Sequence, residues 1–99
     1  MPEKALRLSV EARNDLREIA TYGIANFGPR QSRAYIQRII AVLHTIATHP
    51  RIGWSVGAID DELRRFSYAS HVIFYRPRAE GVFIVRIVAM VQLKSLTFD

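Results

Sequence analysis

The sequence predicts an α+β domain in which an N-terminal antiparallel helical hairpin packs on a small, mainly antiparallel sheet, in the order β-α-α-β-β-β. Three observations predict it. Two consecutive segments carry apolar residues at helical spacing and are separated only by Gly28-Pro29. Three β-rich runs follow, Leu63 to Ser67, His71 to Arg76 and Val82 to Ala89, with "YAS" and "PRAEG" between them. A short alternating stretch, "KALRLSV", precedes the first helical segment.

That stretch reads as the first strand. Ser9 then stands where an N-cap belongs, and Glu11 falls in the first turn, where the helix dipole favours an anion. Ala12, Leu16, Ile19, Ala20, Gly23 and Phe27 form one apolar stripe, with Arg13, Asn14, Arg17 and Glu18 opposite. Gly28 permits a helix stop and Pro29 suits a helix start. The second helix runs from about Pro29 to His49, with Tyr35, Ile36, Ile39, Ile40, Leu43, Ile46 and Ala47 as its stripe. Arg30 and Arg38 lie opposite, Arg33 lies toward one edge, and the segment has no acidic residue. Pro50 ends it. The stretch "HPRIGWSVGAIDDE" reads as a loop. Pro77 and Gly81 mark the hairpin between the last two strands. The tail "MVQLKSLTFD" is too short and mixed to assign.

Residues 1–99 read as a single domain, without repeats, low-complexity segments or a linker. No apolar run approaches the ~20 residues of a membrane span. The charged N-terminus lacks a signal-peptide core, so a cytoplasmic protein without membrane contact is expected. There is no cysteine, hence no disulfide and no thiol nucleophile. The net charge of +5 rests mostly on arginine, which suits multidentate contact with carboxylate or phosphate. No phosphate-binding glycine loop or nucleophile elbow is present, and no cofactor is expected.

Arg86 interrupts the apolar run "VFIVRIVA" and shares a face, by period two, with Val82, Ile84 and Val88. It is either paired with a carboxylate or held ready for a partner. Arg64 and Arg65 must point to opposite faces of their strand. Phe66, Phe74 and Phe83 read as core. His71 and Tyr75 share a face with Ile73 between them, and such a pair could do acid–base work; a turn histidine and a half-buried tyrosine are the plainer alternative. His44 and His49 lie five apart, which is wrong for two ligands on one helical face, and no metal site is expected. Asp60, Asp61 and Glu62 read as a solvated carboxylate run that could offset Arg64, Arg65 or Arg86.

Taken in order, "EARNDLREIATYGIANFG", "RAYIQRIIAVLHTIATHPRIG" and "ELRRFSYASHVIFYRPRAEGVFIVRIV" make the chain resemble the ParE branch of the RelE/ParE superfamily of toxin–antitoxin toxins, over roughly residues 5–88. The resemblance implies a RelE/ParE-like fold, a type II toxin neutralised by a cognate, ParD-like antitoxin through an acidic or amphipathic C-terminal segment, and DNA gyrase as the target. It implies action by binding rather than catalysis. Antitoxin contact is then expected at Arg64, Arg65, Arg76 and Arg86, and target contact at Arg86, Lys94 and Phe98. A homodimer or a heterotetramer with antitoxin is expected, with Trp54 or a sheet edge as the contact, and no sequence-specific DNA binding by the chain alone. The alternatives are a RelE-like, ribosome-dependent mRNA endonuclease using His71, Tyr75 and Arg65 or Arg76, or a non-toxic antitoxin-binding module. Such chains commonly continue their last strand as Arg-Val-Leu-His-x-Arg. Here Arg86 matches, but Ala89 and Val91 replace the histidine and second arginine.

Overall fold

The computed structural model describes residues 5–57 and 62–95, without the side chains of Lys94 and Ser95. Its elements are β1 (Ala5–Leu8), α1 (Val10–Phe27), α2 (Pro29–Thr48), β2 (Trp54–Ser55), β3 (Arg64–Tyr68), β4 (His71–Arg78), β5 (Gly81–Ala89) and a closing 3-10 helix (Met90–Ser95). The sheet order is β1-β5-β4-β3-β2. β1 runs parallel to β5 and every other pair is antiparallel. The two-residue strand β2 lies within the stretch that the sequence suggested was loop. Two residues are too few for an alternation to show, and β3 supplies the pairing that makes them a strand.

The helical hairpin forms as its punctuation predicts. Ser9 caps α1 by accepting from the Ala12 amide at 2.9 Å. Gly28, at φ 89°, sends its N–H to Ile24 O and opens directly into α2, where Pro29 takes the first turn. The helices approach closely at Gly23, where an added Cβ would lie 2.6 Å from Ser32 Oγ. The Ser32 hydroxyl donates to Ala20 O at 2.8 Å and so satisfies itself inside that contact.

The sheet is buried on both faces. On the helix side Ala12, Ile39, Leu43 and Ile46 pack against Ile73, Tyr75, Val82, Ile84 and Ile87. The three α2 aliphatics, all fully buried, contribute roughly 5–9 kcal/mol of transfer free energy. On the other face Leu63, Val72, Phe74 and Val88 form a second cluster, joined by Val56, Val85 and Leu93. The tail therefore has a structural task, which its sequence alone did not suggest.

Several sequence expectations are corrected. Phe27, the last residue of α1, is 60% exposed, and Ile40 is 39% exposed at the margin of its stripe. Phe83 is only half-buried, with the Arg78 guanidinium 6.0 Å from its ring. Arg86 keeps the face of Val88 but does not share it with Val82 and Ile84. The β4–β5 register passes from Tyr75↔Ile84 to Phe74↔Arg86, which leaves Val85 as a bulge. The extra residue reverses the alternation, so Ile87 joins Val82 and Ile84 in the helix-side core and Val88 joins the second cluster.

Candidate functional site

Residues that could carry chemistry or binding fall into four sets: two internal polar clusters, the His71–Tyr35 pair and one arginine-bearing sheet face.

The first cluster begins where β1 stops. Beyond Leu8 the chain leaves β5 for α1, and the exposed edge of β5 needs new partners. Ser9 supplies two: its N–H donates to Ile84 O at 2.9 Å and its hydroxyl to Val85 O at 2.7 Å. Asp15, nearly two turns further along α1, accepts from the Ile87 amide at 2.8 Å. The same carboxylate receives Arg86 in a two-pronged contact, Nε at 2.8 Å and Nη2 at 3.0 Å. The Asp15 hydrogen bond raises the Arg86 pKa above its ordinary value, against the opposing effect of burial. Arg86 is thus the carboxylate-paired arginine of the two alternatives its sequence allowed, and its partner is buried in α1. Asp15 was not singled out from sequence. The available signal was a carboxylate three residues after buried Ala12, inside the apolar arc of α1.

The second cluster pins the α2–β2 connection. Tyr75 is fully buried, and its hydroxyl accepts from the Gly53 amide at 2.8 Å and donates to Pro50 O at 2.7 Å. Desolvation raises the Tyr75 pKa, and the Gly53 hydrogen bond and the Arg64 charge oppose that rise. Arg64 Nη1 donates to Gly53 O at 2.7 Å, so one glycine is held from both sides. Gly53 admits no side chain, because a Cβ would stand 2.6 Å from both Arg65 O and Tyr75 Oη.

His71 and Tyr75 do share the helix-facing side of β4, but they do not work on one site. His71 Nδ1 is 2.7 Å from the hydroxyl of Tyr35 on α2, while Tyr75 is consumed by the Gly53 latch. Burial lowers the His71 pKa. Arg38 lies 5.8 Å from the centre of the Tyr35 ring, and Tyr68 packs nearby.

Arg64 and Arg65 point to opposite faces, as alternation requires. Arg65 pairs across the sheet with Trp54 on one side and Phe74 on the other, so all three share the face opposite the helices. Arg76 and Arg78 follow Phe74 on that face at period two. Arg78 meets Glu62 at 3.4 Å. Trp54 is 79% exposed on the edge strand. Lys94 lies in the 3-10 helix, of which Val91 is 91% exposed. Phe98, Asp60 and Asp61 lie outside the described residues. Among the described residues no group of three or more His, Cys, Asp or Glu side chains could hold a metal ion, and no helix is long and apolar enough to cross a membrane.

Comparison with known proteins agrees with this geometry. Residues 6–92 match the family described as the ParE toxin of the type II toxin-antitoxin system, parDE. A protein named Toxin ParE1 from Caulobacter vibrioides is 37% identical over 73 residues, which cover 74% of this chain and 76% of that protein. Toxin ParE1 from Mycobacterium tuberculosis is 32% identical over 81 residues, covering 81% and 83%. A solved structure described as the chromosomal ParDE TA system from P. aeruginosa superposes with a TM-score of 0.73 at 17% identity, over 88% of this chain and 96% of that one, and so shares the fold.

Proposed function

Because the chain belongs to the ParE toxin family of type II toxin-antitoxin systems, we propose that it inhibits DNA gyrase by binding, and that a cognate, ParD-like antitoxin restrains it. The observation that carries this reading is the employment of its chemistry-bearing groups. The Tyr75 hydroxyl is closed between Gly53 and Pro50, and Arg86 is closed on Asp15. A general acid or base must reach its substrate, and Tyr75 is fully buried. What remains accessible suits contact rather than catalysis: Trp54, half-buried Arg65 and Arg76, and Val91 in the C-terminal segment.

In this reading Arg65 and Arg76 receive the carboxylates of the antitoxin segment, through charge-assisted hydrogen bonds. Arg64 and Arg86 act from behind, by fixing the α2–β2 connection and the β5 edge. The segment from Met90 onward, including Lys94 and Phe98, meets the target. Edge strand β2, with Trp54, is the surface for a homodimer or a toxin–antitoxin heterotetramer.

The test is a gyrase supercoiling and cleavage assay with the purified chain, with and without the product of its neighbouring gene. Inhibition that the partner reverses supports the proposal. Full gyrase activity at saturating protein, together with transcript cleavage in a translation extract, would overturn it in favour of a nuclease.

A further inference from the structure

The net charge of the chain is concentrated in one segment. None of the nine acidic residues lies between Glu18 and Asp60, and that interval contains Arg30, Arg33, Arg38 and Arg51. The remaining ten of the fourteen cationic residues share the rest of the chain with all nine acids, so +4 of the +5 belongs to the acid-free interval. The fold turns this interval into a surface. Ile39, Leu43 and Ile46 bury the inner side of α2. Arg30, Gln37, Ala41, His44 and Thr48 form an exposed outer row, with exposed Arg33 and Arg38 on either side. Arg30, Arg33 and Arg51 make no ion pair among the described residues, and Arg38 makes only its ring contact with Tyr35. Elsewhere Arg86 is paired with Asp15 and Arg78 with Glu62, and α1 carries Glu11, Asp15 and Glu18 alongside Arg13 and Arg17, so its charges balance in sequence as those of α2 do not.

We propose that the outer face of α2 binds the sugar-phosphate backbone of duplex DNA without sequence preference. Charge complementarity names a polyanion. An acidic protein fits less well, because protein interfaces need large apolar or aromatic anchors, whereas the outer row offers only Ala41, and Ile40 at its margin is 39% exposed. A single strand would need exposed rings for base stacking, and the aromatic ring adjoining this face, Tyr35, is half-buried beneath Arg38. Arg30 to Arg38 span eight residues, about 12 Å of helix, which is the length of three or four phosphates along one strand at ~3.4 Å each. The arginines on it can therefore follow one stretch of backbone. Contacts of this kind position a protein and carry no sequence information. The inference goes beyond the toxin reading and requires neither gyrase nor antitoxin.

The test uses the full chain and a fluorescent mixed-sequence duplex, with binding read by anisotropy across a salt series. Three phosphate contacts predict a slope of log affinity against log salt of about −2.7, and hence a loss of about fortyfold between 50 and 200 mM salt. The R30Q/R33Q/R38Q variant should lose that slope and fall at least tenfold in affinity. Its far-ultraviolet spectrum and melting temperature should stay near those of the parent, since the three side chains are exposed. R7Q/R13Q/R17Q removes the same charge from the rest of the surface and should retain binding. Each single α2 variant should reduce the slope by about 0.9. Absence of duplex binding, equal losses in both triple variants, or binding of polyglutamate or an RNA duplex in place of DNA would overturn the proposal.

Discussion

Replacing Asp15 by alanine tests the geometry most directly, because that carboxylate holds three donors at once. The substitution leaves the Ile87 amide buried without an acceptor, which costs about 1–3 kcal/mol. It also strands Arg86. Removing one member of a fully buried ion pair costs about 3–5 kcal/mol, but the Arg86 side chain is 31% exposed and can partly rehydrate, so a smaller share applies. Together these give a loss of about 3 kcal/mol. For a chain of this size that lowers the melting temperature by roughly 12–24 °C, and the urea midpoint by about 1–3 M. The mechanism makes a second, sharper demand. In the D15A/R86A double variant the stranded cation is gone, so the two losses should fall short of additivity by about 1–2 kcal/mol. Urea denaturation of the four proteins provides the cycle. A D15A cost below about 1 kcal/mol, or additivity within about 0.5 kcal/mol, would refute the assignment of Asp15 as the group that closes the β5 edge.

Three further substitutions probe the remaining contacts. Tyr75→Phe keeps the packing but orphans the Gly53 amide, and should cost about 1–3 kcal/mol in urea titration with the far-ultraviolet spectrum unchanged. Gly81→Ala places a methyl group onto the Ala5 carbonyl and should separate β1 from β5, seen as fast hydrogen exchange at Ala5 and Arg7 while β3–β4 amides stay protected. Burial holds His71 below its ordinary value of 6.5, so the unfolded chain takes up the proton first as the pH falls. Stability should therefore decline below 6.5 and be insensitive to this group above it, and His71→Asn should flatten the decline in urea midpoints measured on either side.

Much of the architecture is legible in the residues because helices and hairpins announce themselves locally. Ser9, Gly28, Pro29 and Pro50 each act within a few residues of their own position, and the helix limits fall where they indicate. The bulge at Val85 is not local. It exists because Ile84 and Arg86 take consecutive partners on β4, a pairing between residues about ten positions apart. One inserted residue then moves Ile87 and Val88 to the opposite faces, so an alternation read from Val82 onward is right for two residues and wrong afterward. The strand β2 and the packing of Leu93 depend likewise on distant partners, β3 and the second cluster.

The arginines divide in a manner that composition could not reveal. Arg64 and Arg86 looked like Arg65 in sequence: single cations in or beside strands. Their difference lies in residues 11 and 71 positions away, Gly53 for Arg64 and Asp15 for Arg86. Both bonds are formed with groups that would otherwise be unsatisfied in or near the interior, so both arginines are needed before any partner arrives. A toxin surface assembled from the remaining cations must work around this constraint. The sheet face offers arginines with one carboxylate, Glu62, among the described residues and an exposed tryptophan, whereas α2 offers arginines with no carboxylate on their helix. The first arrangement favours a partner with shape and apolar anchors. The second favours one whose charge is regular and continuous. Substitutions at Arg65 and Arg76 should therefore weaken antitoxin capture at all salt concentrations, because part of that contact is apolar. Substitutions at Arg30, Arg33 and Arg38 should matter chiefly at low salt. Isothermal titration with antitoxin and anisotropy with duplex DNA, each at two ionic strengths, separate them: loss of antitoxin affinity in both sets would mean that the two faces serve one partner.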